Sequence, residues 1–113
     1  SFIEQIAVIG DQQKYVTALA VPSFENLKKY ASEHKISFEN VEELIHHNQI
    51  KDLFERRFEE LQKEFSKFEK IKKFTLLPEE FSIESGEITA TLKLKRKVIQ
   101  KKYKTLIDKM YSE

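Results

Sequence analysis

Seven of the twelve residues from Lys93 to Lys104 are lysine or arginine, and they follow directly on a Ser85-Gly86-Glu87 turn. Positive charge at that density can grip a nucleic acid, form the wet side of a helix, or bring one ammonium to a phosphate. A nucleic-acid grip requires a basic domain and interleaved aromatics for stacking. Here the net charge is only +1, and Tyr103 is the sole aromatic in the stretch. Lys97, Lys101 and Lys104 follow at steps of four and three, which makes a solvated stripe on a helix. Lys93 stands outside that stripe, on the connection between the Gly86 turn and a helix predicted to begin near Arg96. A lysine held there can reach beyond its own domain as a mobile point charge that neutralises a phosphate or carboxylate.

The other reactive side chains offer less. Glu79, Glu80, Glu84 and Glu87 lie close together, but acid–base work would need burial or an aligned partner. A turn-rich acidic stretch is expected to be solvated. His46 and His47 are adjacent, so on a helix they point about 100° apart and cannot share a metal. His34 belongs to another element. These histidines read as surface or helix-end residues, and no metal site is expected. The absence of cysteine excludes disulfides, a thiolate nucleophile and a Cys-ligated metal.

The elements that must carry Lys93 can be read from the patterning. With 113 residues, 40% of them hydrophobic and nine of them Phe, the chain suits one small domain with its own core. No apolar run approaches the ~20 residues of a membrane span. The first residue is not Met, no signal-peptide n-region is evident, and the chain opens within a predicted strand, so a fragment of a longer protein is expected. "IEQIAVIG" and "YVTALAVP" read as two strands of a hairpin around Gly10-Asp11, with Pro22 ending the second. Their continuous apolar centres demand cover on both faces. Ser23 is positioned to cap a helix ending near His34, and Asn40 with Glu43 has capping-box spacing. From a cap at Asn48, the spacing of Leu53, Phe54, Phe58, Leu61, Phe65 and Phe68 predicts an amphipathic helix of about five turns. That stripe is expected to be core, although an oligomer seam would use the same pattern. "KKFTLLPEEFSIESGEIT" predicts a second short hairpin interrupted by Pro78, with a turn around Gly86. The last helix should bury Val98, Ile99, Tyr103, Leu106, Ile107 and Met110. The expected order is β-β-α-α-α-β-β-α, an α+β domain.

With those elements in place, "GEITATLKLKRKVIQKKY" resembles the C-terminal signature of long-chain fatty-acid–CoA ligases of the acyl-adenylate-forming superfamily. That signature reads approximately Gly-Glu-Leu-Thr-Pro-Thr-Leu-Lys-x-Lys-Arg before a Tyr-containing helix. Ala90 stands where many members have Pro. "FIEQIAVIGDQQKYVTALAVPSFENL", "VEELIHHNQIKDLFE" and "IKKFTLLPEEFSIESGEIT" continue the similarity, so it covers essentially the whole chain.

The resemblance implies that residues 1–113 form one C-terminal lid domain of a two-domain ligase. The N-terminal domain that holds ATP and the acyl group, and the hinge, would lie outside this sequence. The intact enzyme would use ATP and CoA as substrates, with Mg2+ bound through the missing domain, and this domain alone would bind no cofactor and be catalytically silent. The family's catalytic lysine is followed three positions later by a basic residue. Lys93 and Arg96 match that spacing, which transfers the role to Lys93, with Lys95 the runner-up. Arg96 and Gly86 would position the loop or contact phosphate. The implied partners are the N-terminal domain, fatty acid, ATP and CoA, with no nucleic acid. The implied location is cytoplasmic, with peripheral association at the inner face of a membrane left open. The alternative reading is a small α+β binding module that uses its basic C-terminal helix on nucleic acid or an acidic partner.

Overall fold

The computed structural model describes residues 2–67 and 69–112. Strand β1 (Ile3–Ile9) and strand β2 (Val16–Pro22) form the expected antiparallel hairpin. Its turn begins at Gly10, whose carbonyl accepts the Gln13 N–H. Pro22 is the last residue of β2, where its missing N–H is harmless. Helices α1 (Phe24–Glu33), α2 (Val41–Ile45) and α3 (Asn48–Gln62) follow. Ser23 occupies the cap position of α1, but its side chain makes no capping bond. Asn40 does cap α2: its Oδ1 accepts the Glu43 N–H at 2.8 Å. His47, rather than Asn48, caps α3 by accepting the Gln49 N–H at Nδ1.

Three expectations are corrected. The α3 helix stops at Gln62 and does not run on through the Phe stripe. The Gln62 side-chain amide accepts the Ile71 N–H at 2.6 Å and faces the Ile71 carbonyl, which turns the chain back into a strand. Phe54 and Phe58 are therefore core, whereas Leu61 and Phe65 are 65% and 51% exposed. Phe68 lies outside the described residues.

Second, the predicted second hairpin is absent among the described residues. Its first half is strand β3 (Ile71–Leu76), which joins the first sheet parallel to β2. The sheet order is β1-β2-β3, with three helices in the crossover. Its second half has no strand: Pro78 follows β3, and the chain curls through bonds from the Gly86 and Glu87 N–H groups to the Ser82 carbonyl. Third, the last helix is broken at Tyr103 into α4 (Arg96–Lys102) and α5 (Lys104–Tyr111). The observed order is β-β-α-α-α-β-α-α, and the α+β class stands.

The sheet separates two apolar layers. Ala20 and Leu76 pack with Leu27, Leu44, Ile50 and Phe54 of α1–α3. Leu19 and Val21, which alternate with Ala20 along β2, pack with Phe81, Ile88, Ile99, Ile107 and Met110. The continuously apolar β2 is thus the central strand, covered on both faces. The second layer carries the basic stretch and seats it on the sheet.

Candidate functional site

The segment from Ser82 to Lys102 forms a turn, a tight loop and helix α4. At its base, an antiparallel bridge joins Ile88 to Leu94. The Thr89 N–H donates to the Lys93 carbonyl at 2.8 Å, and the Lys93 N–H donates to Thr89 Oγ1 at 3.0 Å. Both backbone groups of Lys93 are therefore held by one threonine. The Leu92 N–H bonds the Thr89 carbonyl, and Leu92 adopts φ +64°. Loops of this form normally place Gly or Asn at the left-handed position, and leucine there costs about 1–2 kcal/mol. That leucine is also largely exposed, so neither packing nor backbone ease explains it. Strain of this kind concentrates where a loop has a task.

Leu94 points into the second apolar layer, so its neighbours Lys93 and Lys95 point outward. Both side chains are exposed, and among the described residues neither ammonium pairs with a carboxylate. Their backbones differ: the Lys95 N–H bonds the Glu87 carbonyl at 2.7 Å, and Lys95 occupies the cap position of α4. Lys93 belongs to the loop and Lys95 to the helix entrance. Gly86 has φ +93° with nothing within 4 Å of where a Cβ would stand, so its contribution is conformational. The Arg96 guanidinium donates to the Val8 carbonyl and fastens the start of α4 to edge strand β1.

The acidic turn is only partly solvated. Glu79, Glu80 and Glu84 are exposed, but Glu87 is completely buried, which corrects the expectation for that residue. Its Oε1 accepts the Ser82 N–H at 2.9 Å and the Ser85 hydroxyl at 2.6 Å, and its Oε2 takes the Lys102 ammonium at 2.5 Å. Burial by itself raises the Glu87 carboxyl; the Lys102, Ser85 and Ser82 hydrogen bonds outweigh it and hold the group down from 4.5 to about 2. The bond to Glu87 raises the Lys102 ammonium in turn.

This pair makes stability pH-dependent with a definite sign. A carboxyl depressed in the folded state stabilises fully above its unfolded value and loses that contribution as pH falls through the folded one. The window runs from 4.5 down to about 2. The contribution is on the order of 3 kcal/mol before discounting, and less because the Lys102 side chain is 45% exposed to screening water. Urea midpoints should fall more steeply across this window for the native chain than for Glu87→Gln; parallel curves would refute the assignment.

Sequence reasoning missed this pair because fifteen positions separate its members and no short-range spacing links them. It also commits the half-exposed Lys102 ammonium to a buried carboxylate. Lys97 and Lys101 do face water, and Lys104 pairs with Asp108 at 2.6 Å on the surface of α5. With Arg96, Lys102 and Lys104 each turned to an acceptor in the same chain, the stretch is not a continuous basic strip. His46 and His47 lie at the junction of α2 and α3, with ring nitrogens facing the Glu42 carbonyl and the Gln49 N–H. No helix among the described residues is long and apolar enough to cross a membrane.

Comparison with known proteins shows the family of the chain. Residues 1–113 match the family described as AMP-binding enzyme C-terminal domain, and the chain belongs to that family. Long-chain-fatty-acid–CoA ligase 1 of Homo sapiens is 34% identical over 97% of the chain, and long chain acyl-CoA synthetase 8 of Arabidopsis thaliana is 32% identical over 99%. In each case the chain spans 16% of the relative's length. The adenylation domain of a carboxylate reductase from Mycobacterium chelonae has the same fold, with a TM-score of 0.75 at 23% identity, over 99% of this chain and 16% of that one. An A-PCP didomain of carboxylic acid reductase from Segniliparus rugosus, in complex with AMP, superposes with a TM-score of 0.73 at 22% identity, over 97% and 14%.

Proposed function

We propose that this domain is the mobile C-terminal part of an AMP-forming long-chain fatty-acid–CoA ligase and that Lys93 serves the adenylation step. The observation that carries the reading is the exposed, outward-facing side chain of Lys93 on a loop whose backbone is fixed at both polar groups by Thr89. In the first half-reaction a fatty-acid carboxylate oxygen attacks the α-phosphorus of ATP, and the bond to pyrophosphate breaks. Two anions must meet, and a preplaced ammonium offsets their repulsion and the charge that develops in the transition state. In the second, the CoA thiol attacks the acyl carbonyl, and AMP leaves. Rotation of the domain between the steps would withdraw Lys93 and open the path for CoA. ATP, the acyl chain and Mg2+ are assigned to the other domain of the ligase; among the described residues no three imidazole or carboxylate groups converge to hold a metal. Gly86 and Arg96 are assigned to shaping and fastening the loop.

The test is to measure the two half-reactions separately in the full-length ligase. Lys93→Ala should lose adenylate formation and keep thioester formation from supplied acyl-adenylate. Undiminished adenylation by that variant would overturn the proposal.

A further inference from the structure

The two ends of α4 are tied to one residue. At its N-terminal end, the Lys95 N–H bonds the Glu87 backbone carbonyl; two turns later, the Lys102 ammonium bonds the Glu87 carboxylate. The same carboxylate holds the Ser82–Ser85 turn through Ser82 N–H and the Ser85 hydroxyl. Turn, loop exit and helix therefore share a single anchor, which water does not reach. Lys93 lies within the loop that the Lys95–Glu87 backbone bond closes, two residues before Lys95 and five after Ile88.

The Thr89 bonds close the loop on itself; the two bonds to Glu87 tie that closed loop to the turn and to α4. The Ile88–Leu94 bridge is isolated and belongs to no sheet, so the base of the loop gains nothing from neighbouring strands. Side-chain packing of Ile88 and Leu94 sets their depth but not the direction in which α4 leaves. Ile99 buries midway along α4 and Tyr103 meets Phe81 edge-on just beyond it; the Lys102–Glu87 bond adds a polar tie from the far end of α4 to the turn. At the other end, Arg96 ties the start of α4 to the Val8 carbonyl of β1.

From this we infer that the Glu87–Lys102 pair is a positioning strut for the adenylation lysine: it acts on the reaction through Lys93 and does not touch substrate. The inference rests on the function proposed for Lys93. Displacing a reacting group by about 1 Å can cost on the order of 10²-fold in rate. Loss of one of several tethers is expected to cost about tenfold in kcat for adenylation.

A double-mutant cycle in the full-length ligase tests it. Lys102→Met, which removes the cation at a half-exposed position, should lower kcat for adenylate formation about tenfold in the native background. In a Lys93→Ala background the same change should cost less than about twofold, because the group being positioned is already gone. Lys102→Arg should restore most of the rate, and Lys104→Met, which breaks the surface pair with Asp108, should leave it unchanged. Glu87→Gln should reproduce Lys102→Met; if it fails to fold, the Lys102 variants decide alone. Equal losses in both backgrounds would show a merely structural pair and overturn the inference while leaving Lys93's role intact. Full adenylation by Lys93→Ala itself would instead overturn the function on which it rests.

Discussion

Replacing Lys93 with alanine in the full-length ligase is expected to slow adenylate formation by about 10²–10³, the usual cost of removing one preorganised charge from a transition state. The domain should tolerate the change. The Lys93 side chain is exposed, and the backbone bonds to Thr89 do not involve it, so alanine keeps the loop closed. Thioester formation should proceed normally, since its chemistry brings a thiol to an already activated carbonyl. Lys95→Ala is the discriminating control. Lys95 also projects outward, but its backbone is committed to Glu87 at the mouth of α4, away from the Thr89 loop. Its removal should change adenylation less than about threefold by weakening only an exposed, screened charge. If Lys95→Ala lost the half-reaction and Lys93→Ala kept it, the two lysines would exchange roles.

The second large effect is on stability. Phe54→Ala should cost about 3–5 kcal/mol, the usual range for emptying a buried aromatic site. Phe54 is fully buried among the residues of the first apolar layer and meets Phe2 edge-on at 6.4 Å between ring centres. A domain of this size has only about 5–15 kcal/mol in all. Phe65→Ala, eleven positions on in the same heptad-like stripe, should stay within about 0.5 kcal/mol because its ring is already half in water. Urea denaturation of the 113-residue chain measures both, and comparable losses would mean that the stripe is packed as a unit.

That contrast shows where patterning ends. The Phe spacing continues past Gln62, but helix formation also depends on what the last turn can bond to. Gln62 presents its amide to Ile71, nine residues away, and no periodicity encodes such a pairing. The features that were readable are local: the turn after Gly10, the Asn40 cap, the position of Pro22, and the cover on both faces of β2. Lys93 could be singled out because it falls off a helical stripe. The features that were not readable join distant residues. Arg96 meets Val8, Gln5 pairs through its amide with both backbone groups of Phe81, and Lys102 meets Glu87. The parallel placement of β3 belongs with them: a strand beside Pro78 looks the same in sequence whether it starts a hairpin or returns to an older sheet.

That parallel pairing also sets an order of assembly. The β1–β2 hairpin is local and can form early, whereas pairing β3 with β2 requires closing the connection that contains α1, α2 and α3. Closing so long a connection costs entropy before any β-pairing returns it, which slows folding relative to a helical protein of equal length. The second face of the sheet waits longer still, since Ile88, Ile99, Ile107 and Met110 come from the final quarter of the chain. During synthesis, Leu19 and Val21 emerge long before their cover does. The loop that carries Lys93 is among the last parts to acquire a foundation, so Lys93 is presented only by a domain that has finished folding.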